Sequence, residues 1–277
     1  MRLRTVLLDD HPLACVALPD CRLARVDKVL PGAPTDLVAL LETGSLDELA
    51  VAVDTGVTDD ACVPADAPVL APWKHPRKIF GIGLNYGAHA GDLGETAPRT
   101  TPASFLKGDH TIVGPGEPIV VPPDIGKVTS EAELGLVIGK LCYQVSVEEA
   151  MSYVAGIVPI LDQTAEAILL ENPRYLTRVK NYPTFFAFGP DLITLDEALA
   201  GAMREQEALG VVGEAPLAVE AAVMSRSALM SARGNSGVIL SQLVRGVSEV
   251  VSSESLDEVD AAAVGRAVRQ GARRARE

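Results

Sequence analysis

The sequence predicts a mixed fold, in which a β-rich first part is followed by an all-α segment. Before residue 190, short apolar runs alternate with proline and glycine, as is typical of β-rich domains. Every aromatic, lysine, histidine and cysteine of the 277 residues lies before Gly189, and the rest of the chain carries helical spacing. Because aromatic side chains dominate core packing, one core would not divide them so cleanly. We therefore place a boundary within residues 190–200.

The first part is predicted to open with strands and two short helices. The runs 4–10, 14–20 and 22–31 are apolar stretches that end at acidic residues or proline, which indicates a strand meander. Residues 35–44 and 45–56 are predicted to be helical, and Ser45 with Glu48 has the spacing of a capping box.

The middle of the chain is predicted to form strands around a pocket. The strand candidates are short runs interrupted by glycine and proline, at 78–87, 102–108, 111–123 and 131–140. Ser146 and Glu149 form a second capping-box spacing, which predicts a short helix over 145–157. Residues 158–173 are then expected to pass from strand to helix.

Composition limits the partners of the chain. The formal charge of -13 argues against nucleic acid or an anionic membrane as the main partner. No apolar run approaches the ~20 residues that a membrane helix needs, and 48% apolar content with 22% charged residues is typical of a folded domain. The four cysteines lack C-x-x-C spacing, so we expect reduced thiols in a cytoplasmic protein.

The run 131–140 is the most informative part of the sequence. In an extended strand, alternate residues share a face and lie about 6.6 Å apart along it. One face is then apolar and is expected to pack on the core: Ala132, Leu134, Leu136 and Ile138. The opposite face carries two carboxylates and a glycine: Glu131, Glu133 and Gly135. Such a face suits a hard divalent cation, which prefers oxygen ligands, and an edge strand with its polar side in water is the alternative.

Residues 80–95 contain an Asn-Tyr pair and place His89 three residues before Asp92. If this stretch is helical, both side chains share one face, and the carboxylate orients the imidazole and raises its basicity. This spacing favours a catalytic dyad, and a structural histidine is the alternative.

Two lysines and one aspartate lie in apolar surroundings. A buried lysine needs a partner or loses its proton, so Lys107 and Lys180 are candidates to face an anionic ligand. Alternatively, both side chains extend to the surface. Asp162 follows an apolar run and precedes a predicted helix, which is compatible with a helix N-cap or with a third oxygen ligand at a strand end.

Seven segments carry a family resemblance. They are GIGLNYGAHA, SFLKG, IVGPGEPIVVPP, EAELGLVIGK, VEEAMSYVAGI, LDQTA and KNYPTFFAFGPDLIT. In order and approximate spacing, the chain resembles the fumarylacetoacetate hydrolase family over residues 1–195. The resemblance implies a mixed β-sandwich or roll that is truncated at its C-terminal end, with an N-terminal region over 1–70 and a catalytic core over 71–195.

The same resemblance implies a bound Mg²⁺ or Mn²⁺, with Ca²⁺ as a further possibility. Carried over by position, Glu131, Glu133 and Asp162 resemble the metal ligands of the family. His89 with Asp92 resembles the dyad that activates water, although relatives often have glutamate in place of this aspartate.

By the same resemblance, Lys180, together with Lys107, would hold a substrate carboxylate or a developing oxyanion. The implied chemistry acts on 2-oxo or 1,3-dioxo carboxylic acids. It is the hydrolysis of a C–C bond in an acylpyruvate-like or fumarylacetoacetate-like substrate, or a related decarboxylation, hydration or isomerisation.

The sequence also departs from the family pattern. After Asp162, the usual Ala-Arg-Asp reads Ala165, Glu166 and Ala167, so that a glutamate stands where an arginine is expected. Leu169 stands where several relatives have a substrate-contacting glutamine. The family domain normally continues with further strands, whereas this chain changes to a helical tail.

The tail has a glycine loop before a helical run. Free backbone N–H groups at Gly234, Asn235, Ser236 and Gly237 could bind phosphate, and a glycine turn between helices is the alternative. The string ARGNSGVILSQLVRG resembles the ATP-binding part of the dihydroxyacetone kinase L-type domain (DAK2), which is all-helical. The resemblance implies that these four residues approach nucleotide phosphates. No counterpart of that family's Mg²⁺-binding aspartates occurs, so we expect a partial DAK2 domain over 196–277.

Three functions follow from these observations. The first is a metal-dependent hydrolase or lyase with a small 2-oxo acid as its partner. The second is an ATP-binding phosphotransferase of the dihydroxyacetone kinase or fatty-acid kinase kind. The third is an inactive fusion product that persists as a scaffold. A homodimer is expected from the resemblance and because the first part lacks strands to cover its sheet.

Overall fold

The computed structural model describes residues 1–83, 103–146 and 149–198. These residues fall into two compact units. The first unit comprises residues 1–79, 106–142 and 153–198 and contains most of the strands. The described parts of the second unit are short, and the predicted helical tail lies outside the described residues.

The opening meander is confirmed, except that the strand predicted over 22–31 is wrong beyond Arg25, where a helix begins. Strands β1 (Arg2–Leu8), β2 (His11–Ala17) and β3 (Leu23–Arg25) pair antiparallel in sequence order. Helix α1 (Val26–Val29) follows directly. The two longer predicted helices are also present, as α2 (Leu37–Thr43) and α3 (Leu46–Thr55).

The boundaries of α2 and α3 follow from local chemistry. The Asp36 carboxylate accepts a hydrogen bond from the Ala39 amide at 2.9 Å and caps α2, and Gly44 ends it with a φ of 72°. The predicted capping box at Ser45 is wrong. The Ser45 hydroxyl makes no capping bond to α3 and donates to the Thr43 hydroxyl at 3.0 Å.

One of the predicted middle strands is much shorter than expected. Strands β4 (Ile79–Gly83) and β5 (Ala103–Lys107) form a separate two-stranded sheet. Strand β6 comprises only Ile112–Val113, so the prediction of a strand over 111–123 is wrong beyond residue 113. The four prolines of the run 114–123 lack an N–H group and cannot donate to a ladder.

Two long strands dominate the sheet: β7 (Thr129–Ile138) and β8 (Val154–Thr164). The helix predicted over 145–157 is wrong in its second half, because the chain forms a single 3₁₀ turn (Ala150–Tyr153) and then enters β8. The Ser146–Glu149 capping contacts are nevertheless present, since the Ser146 hydroxyl accepts from the Glu149 amide at 3.2 Å.

After β8 the chain changes from strand to helix, as predicted. Helix α4 (Glu166–Glu171) is followed by a 3₁₀ turn (Pro173–Tyr175) and by α5 (Leu176–Val179). Strands β9 (Phe186–Phe188) and β10 (Asp191–Thr194) complete the sheet.

The strand order of the eight-stranded sheet is β3-β2-β1-β10-β8-β9-β6, with β7 paired to β8. Strand β8 pairs antiparallel with β7, β10 and β9, whereas β6 and β9 run parallel. Because β1 pairs with β10, the start of the chain and the end of the described part share this sheet. Strand β8 therefore lies at the centre of the sheet and pairs with three other strands.

The main hydrophobic core lies between this sheet and helices α1–α3. Its fully buried side chains include Leu3, Val16, Leu40, Leu49 and Leu192. A smaller cluster of Ala165, Ile168, Val179 and Phe185 fixes α4 and α5 beside β8. In the described parts of the chain, no helix is long and apolar enough to cross a bilayer.

The two faces of β7 are arranged opposite to the prediction. The alternation itself is correct, but Leu136 and Ile138 are 57% and 53% exposed, so the expected core stripe is an outer face. Val137 is buried, and it shares its side of the strand with Glu131 and Glu133. The carboxylates can point inward because two lysines balance their charge there.

Candidate active site

The register of β7 and β8 brings the acidic residues together. Glu131 lies directly opposite Asp162, and Glu133 follows on the same face, opposite Ile160. Gly135 continues this face without a side chain. A Cβ atom there would lie 2.5 Å from Ile160 Cδ1, so a larger residue at this position would force the Ile160 side chain to move.

Lys107, the last residue of β5, extends into this cluster. Its Nζ donates to Asp162 Oδ1 at 2.6 Å, and the side chains of both residues are 1% exposed. The ammonium group also lies 5.9 Å from the ring centroid of Phe186. The alternative that Lys107 reaches the surface is therefore wrong.

Lys180, which follows α5, binds the other oxygen of the Asp162 carboxylate. Its Nζ donates to Asp162 Oδ2 at 2.5 Å and lies 3.4 Å from Glu131 Oε1. The Thr164 hydroxyl donates to the same Glu131 oxygen at 3.0 Å. Asp162 therefore lies within β8 between two ammonium groups, and the alternative that it caps a helix is wrong.

The electrostatics of the cluster follow from burial and charge. Burial, followed by repulsion from Asp162, raises the pKa of Glu133 to about 7. Burial lowers the pKa of Lys107 despite its pairing with Asp162. Burial also acts to lower the pKa of Lys180, but attraction by Asp162 and Glu131 outweighs it and leaves that pKa raised. The cluster thus combines a lysine held as ammonium with a carboxyl that titrates near neutrality.

Asn181 is a site residue that the sequence reasoning missed. Its side-chain amide donates to the Leu106 and Thr177 carbonyls at 2.8 and 2.6 Å, and its Oδ1 accepts from the Gly108 amide at 2.7 Å. Two of these bonds hold Leu106 and Gly108, the residues on either side of Lys107, against Asn181. Its position next to Lys180 in the string KNYP was the one signal that could have identified it.

The departures from the family pattern lie beside the cluster. Glu166, which stands where arginine is expected, begins α4 and forms an ion pair with Lys127 at 2.5 Å. Its side chain is 17% exposed, whereas that of Lys127 is 69% exposed. Leu169 packs against the small apolar cluster around Phe185. At both positions the side chain has a local structural partner.

The chemistry of the carboxylates supports the predicted metal site, but their arrangement does not. Three carboxylates, of which Asp162 is buried and the two glutamates are partly buried, supply the oxygen donors that Mg²⁺ and Mn²⁺ prefer. Across residues 1–83, 103–146 and 149–198, however, no three His, Cys, Asp or Glu side chains are arranged to hold an ion. Both oxygens of Asp162 are bonded to lysines, so an ion would have to displace an ammonium group. The donor set fits a divalent ion, but only after this exchange.

Several predicted site residues lie outside the described residues. These are the proposed dyad, His89 with Asp92, and the glycine loop of the tail, Gly234, Asn235, Ser236 and Gly237. The domain limits 1–70, 71–195 and 196–277 likewise stay predictions.

The sequence matches two domain families. The fumarylacetoacetate (FAA) hydrolase C-terminal domain matches residues 78–223, just over half of the chain. The DAK2 domain matches residues 193–277, so the two matches overlap near the predicted boundary. Both resemblances inferred from the sequence are confirmed.

Individual relatives point to the same family. The mitochondrial oxaloacetate tautomerase Fahd2a of Rattus norvegicus is 32% identical over 167 residues, which is 60% of this chain and 53% of that protein. A maleylpyruvate hydrolase from Sphingobium sp. SYK-6, solved with manganese(II) and pyruvate, gives a TM-score of 0.53 at 27% identity, covering 71% of this chain and 68% of that chain. A fumarylacetoacetate hydrolase from Exiguobacterium antarcticum gives 0.56 at 26% identity, with 71% and 67% covered.

The β-rich fold predicted from the sequence is thus confirmed by solved structures. Their descriptions span hydrolases and isomerases, and the curated relatives add a tautomerase, so the shared property is the family rather than one reaction. The chain spans about half the length of the curated relatives that it matches.

Proposed function

Because the chain belongs to the fumarylacetoacetate hydrolase family, we propose that it is an enzyme that acts on small 2-oxo or 1,3-dioxo carboxylic acids. The proposed reaction is the hydrolysis of a C–C bond in an acylpyruvate-type substrate, or a related decarboxylation, hydration or tautomerisation. The observation that carries the proposal is the buried cluster of Lys107, Asp162 and Lys180 beside Glu131 and Glu133.

This cluster has the properties of a site for a small anion. Burying two ammonium groups costs free energy unless they are paired. Clusters of such groups are typical of functional sites. We assign Lys180, whose pKa is raised, to the substrate carboxylate or to the enolate oxygen that forms from it. Lys107, on the other side of Asp162, adds positive charge to the same region.

Glu133 is the candidate for proton transfer among the described carboxyl groups. A general acid or base works best when its pKa lies near the working pH, and the pKa of Glu133 is about 7. The buried face would also limit the access of water to a reactive enolate. The second candidate for this role is the predicted dyad of His89 and Asp92.

We propose that Glu131, Glu133 and Asp162 together bind a divalent ion, Mg²⁺ or Mn²⁺, when substrate is present. Such an ion would chelate the 2-oxo acid and polarise its carbonyl group. The support is the donor chemistry of this face and the manganese(II) in the maleylpyruvate hydrolase structure. In that state Lys107 or Lys180 is released from Asp162 and becomes available to the substrate.

The experiment is a turnover assay on the full chain with acylpyruvate and with oxaloacetate. Turnover is measured as the loss of substrate absorbance, with and without Mn²⁺. We expect turnover that requires the ion and falls about a hundredfold or more in Glu131→Ala, since a ligand and a lysine partner are lost together. The matched control is Glu171→Gln, an exposed carboxylate on α4.

Absence of turnover of both substrates with Mn²⁺ bound would favour the third hypothesis, an inactive product that keeps the fold. Equal turnover by wild type and Glu131→Ala would show that the cluster is not the site.

A second function is supported by the DAK2 match over residues 193–277. We propose, as the alternative, that the tail binds ATP for phosphotransfer, with Gly234, Asn235, Ser236 and Gly237 near the phosphates. Equilibrium dialysis of the full chain against ATP and Mg²⁺ tests this alternative. Retention of ATP that is lost in Gly237→Val supports it, and no retention by the wild type removes it.

A further inference from the structure

We propose that His110 is a positioning residue for Lys107 and Lys180, the two lysines of the candidate active site. His110 holds the turn that follows Lys107 against Asn181, the residue that follows Lys180. The inference deepens the proposed function and rests on it, because it concerns how the same site fixes the two ammonium groups that would bind a substrate carboxylate.

The turn after Lys107 has a defined backbone structure. A 3₁₀ turn (Asp109–Thr111) begins directly after Gly108. The hydroxyl and the amide of Thr111 both donate to the Gly108 carbonyl, at 2.7 and 3.1 Å, and Thr111 is fully buried. His110 therefore lies in a backbone segment that is held at both of its ends.

The imidazole of His110 binds the backbone of Asn181. Its Nε2 lies 2.9 Å from the Asn181 carbonyl oxygen. Because a carbonyl oxygen only accepts, Nε2 carries the proton and donates it. A neutral ring protonated at Nε2 and an imidazolium ring both donate at this atom, so the bond does not depend on the charge of the ring.

Gly108 supplies the space for this ring. Its φ of -82° and ψ of 156° are ordinary extended values, so the backbone conformation does not require glycine. A Cβ atom at this position would lie 2.5 Å from His110 Nδ1 and 2.6 Å from His110 Cε1. The imidazole therefore lies directly against the Gly108 backbone, and a larger residue here would displace the ring.

His110 completes a clamp of three hydrogen bonds around Lys107. The other two come from the side chain of Asn181, which accepts from the Gly108 amide at 2.7 Å and donates to the Leu106 carbonyl at 2.8 Å. The residues on both sides of Lys107 are thus bound to Asn181, and His110 fixes the backbone of Asn181 in turn.

The clamp sets the spacing between the two lysines. In the metal-free chain, the ammonium groups of Lys107 and Lys180 donate to the two oxygens of the Asp162 carboxylate. In the proposed bound state one ammonium group leaves Asp162 for the substrate, so the backbone clamp must keep the two groups in place. Groups that are held in position before binding lose less entropy when the ligand binds, and loss of His110 should therefore weaken binding.

The experiment measures the affinity of the full chain for oxalate in the presence of Mn²⁺ by titration calorimetry. We expect His110→Ala to bind oxalate about fivefold more weakly than the wild type, which is the value of one net hydrogen bond. His110→Gln keeps an N–H donor near the position of Nε2 and should restore most of the affinity.

The matched control is His75→Ala. His75 Nδ1 lies 2.8 Å from Asp109 Oδ2, so this variant removes a histidine contact to the same turn but leaves the three bonds of the clamp. Its affinity for oxalate should equal that of the wild type.

Gly108→Ala tests the same contact without removing the histidine. Its Cβ atom would displace the His110 ring, so the affinity should fall as in His110→Ala. Folding of each variant is checked by the fluorescence of Trp73, the single tryptophan, which packs edge-on against Phe188 at 5.2 Å.

Hydrogen exchange of the Gly108 amide gives a second measurement that needs no ligand. Exchange should be faster in His110→Ala than in the wild type and in His110→Gln, because the acceptor of this amide is Asn181. Equal affinity for oxalate in the wild type and His110→Ala, or equal exchange at Gly108, would overturn the role of His110 and leave the proposed function standing. Absence of oxalate binding by the wild type would contradict both.

Discussion

The two faces of the β7–β8 pair differ in charge and in exposure. The inner face holds Glu131, Glu133 and Asp162 with two buried lysines, whereas the outer face is aliphatic and exposed. In an ordinary sheet the apolar side is buried and the charged side meets water. The comparison teaches that alternation in a sequence identifies two faces but not which of them is inside.

The reason for the inversion is charge compensation. A buried carboxylate is expensive unless it is paired, and Asp162 is paired with lysines from β5 and from the end of α5. This pairing of charges is what allows the carboxylates to lie on the inner side of the strand pair.

The largest effect on stability is expected from Asp162→Ala. The substitution leaves two ammonium groups buried without their shared carboxylate, and breaking a buried pair in this way costs about 3–5 kcal/mol. Urea unfolding of the metal-free protein measures the free energy of unfolding of both chains.

Asp59→Ala is the control for this measurement, because Asp59 pairs with Arg22 at 2.7 Å but its side chain is 90% exposed. Exposed pairs contribute little to stability because water screens them, so we expect a much smaller loss for this variant. Similar losses for the two variants would mean that the inner cluster is solvated and that the contrast between the faces is false.

A smaller effect, which depends on pH, is expected from Glu133→Gln in the metal-free protein. The pKa of Glu133 is about 7 in the folded chain and has its ordinary, lower value in the unfolded chain. Between those two values the folded state keeps a proton that the unfolded state releases. The free energy of unfolding of the wild type therefore falls as the pH rises to about 7, and the loss is complete above it.

Glu133→Gln should lack this decline and be more stable than the wild type at pH 8, by on the order of 2 kcal/mol. Urea unfolding at several pH values between 5 and 8 measures the difference, with the exposed Glu171→Gln as the control. If Glu133→Gln declines with pH in parallel with the wild type, Glu133 is solvated and does not belong to the inner cluster.

The smallest of these effects is expected from Asn181→Ala. Three hydrogen bonds are lost, two of them to the residues that flank Lys107, and only the bond from the Gly108 amide is partly buried, so we expect a cost of about 1 kcal/mol. Asn172→Ala removes a single bond, to the Arg174 amide at 3.0 Å, and should cost less in the same urea experiment. An equal or smaller cost for Asn181→Ala would contradict its role as a clamp.

Much of the fold could be predicted from local patterns. Local signals predicted four features: the opening meander, α2, α3 and the change from β8 to α4. These signals are the spacing of apolar residues and the proline, glycine and capping residues at the ends of the elements. The predicted helix over 145–157 failed because the pairing of β8 with β7 outweighs its capping box. A ladder partner distant in sequence is not visible in a local pattern.

The sequence predicted which residues form the candidate site, but it did not predict how their side chains contact one another. Glu131, Glu133, Asp162, Lys107 and Lys180 were each identified from the sequence, and the first three were expected around an ion. The structure places Asp162 between the two lysines, a pairing across 55 and 18 residues that no spacing reveals. Asn181 escaped notice because its role depends on backbone groups near Lys107.

The central claim is that the inner face is a binding site for 2-oxo acids, and the titration of oxalate into the full chain tests it most directly. Oxalate has the charge and planarity of a pyruvate enolate and is not consumed. With Mn²⁺ present, we expect heat of binding from the wild type, affinity reduced about tenfold or more in Lys180→Met, and no change in Val51→Glu. Absence of binding to the wild type, or equal affinity in Lys180→Met, would contradict the claim.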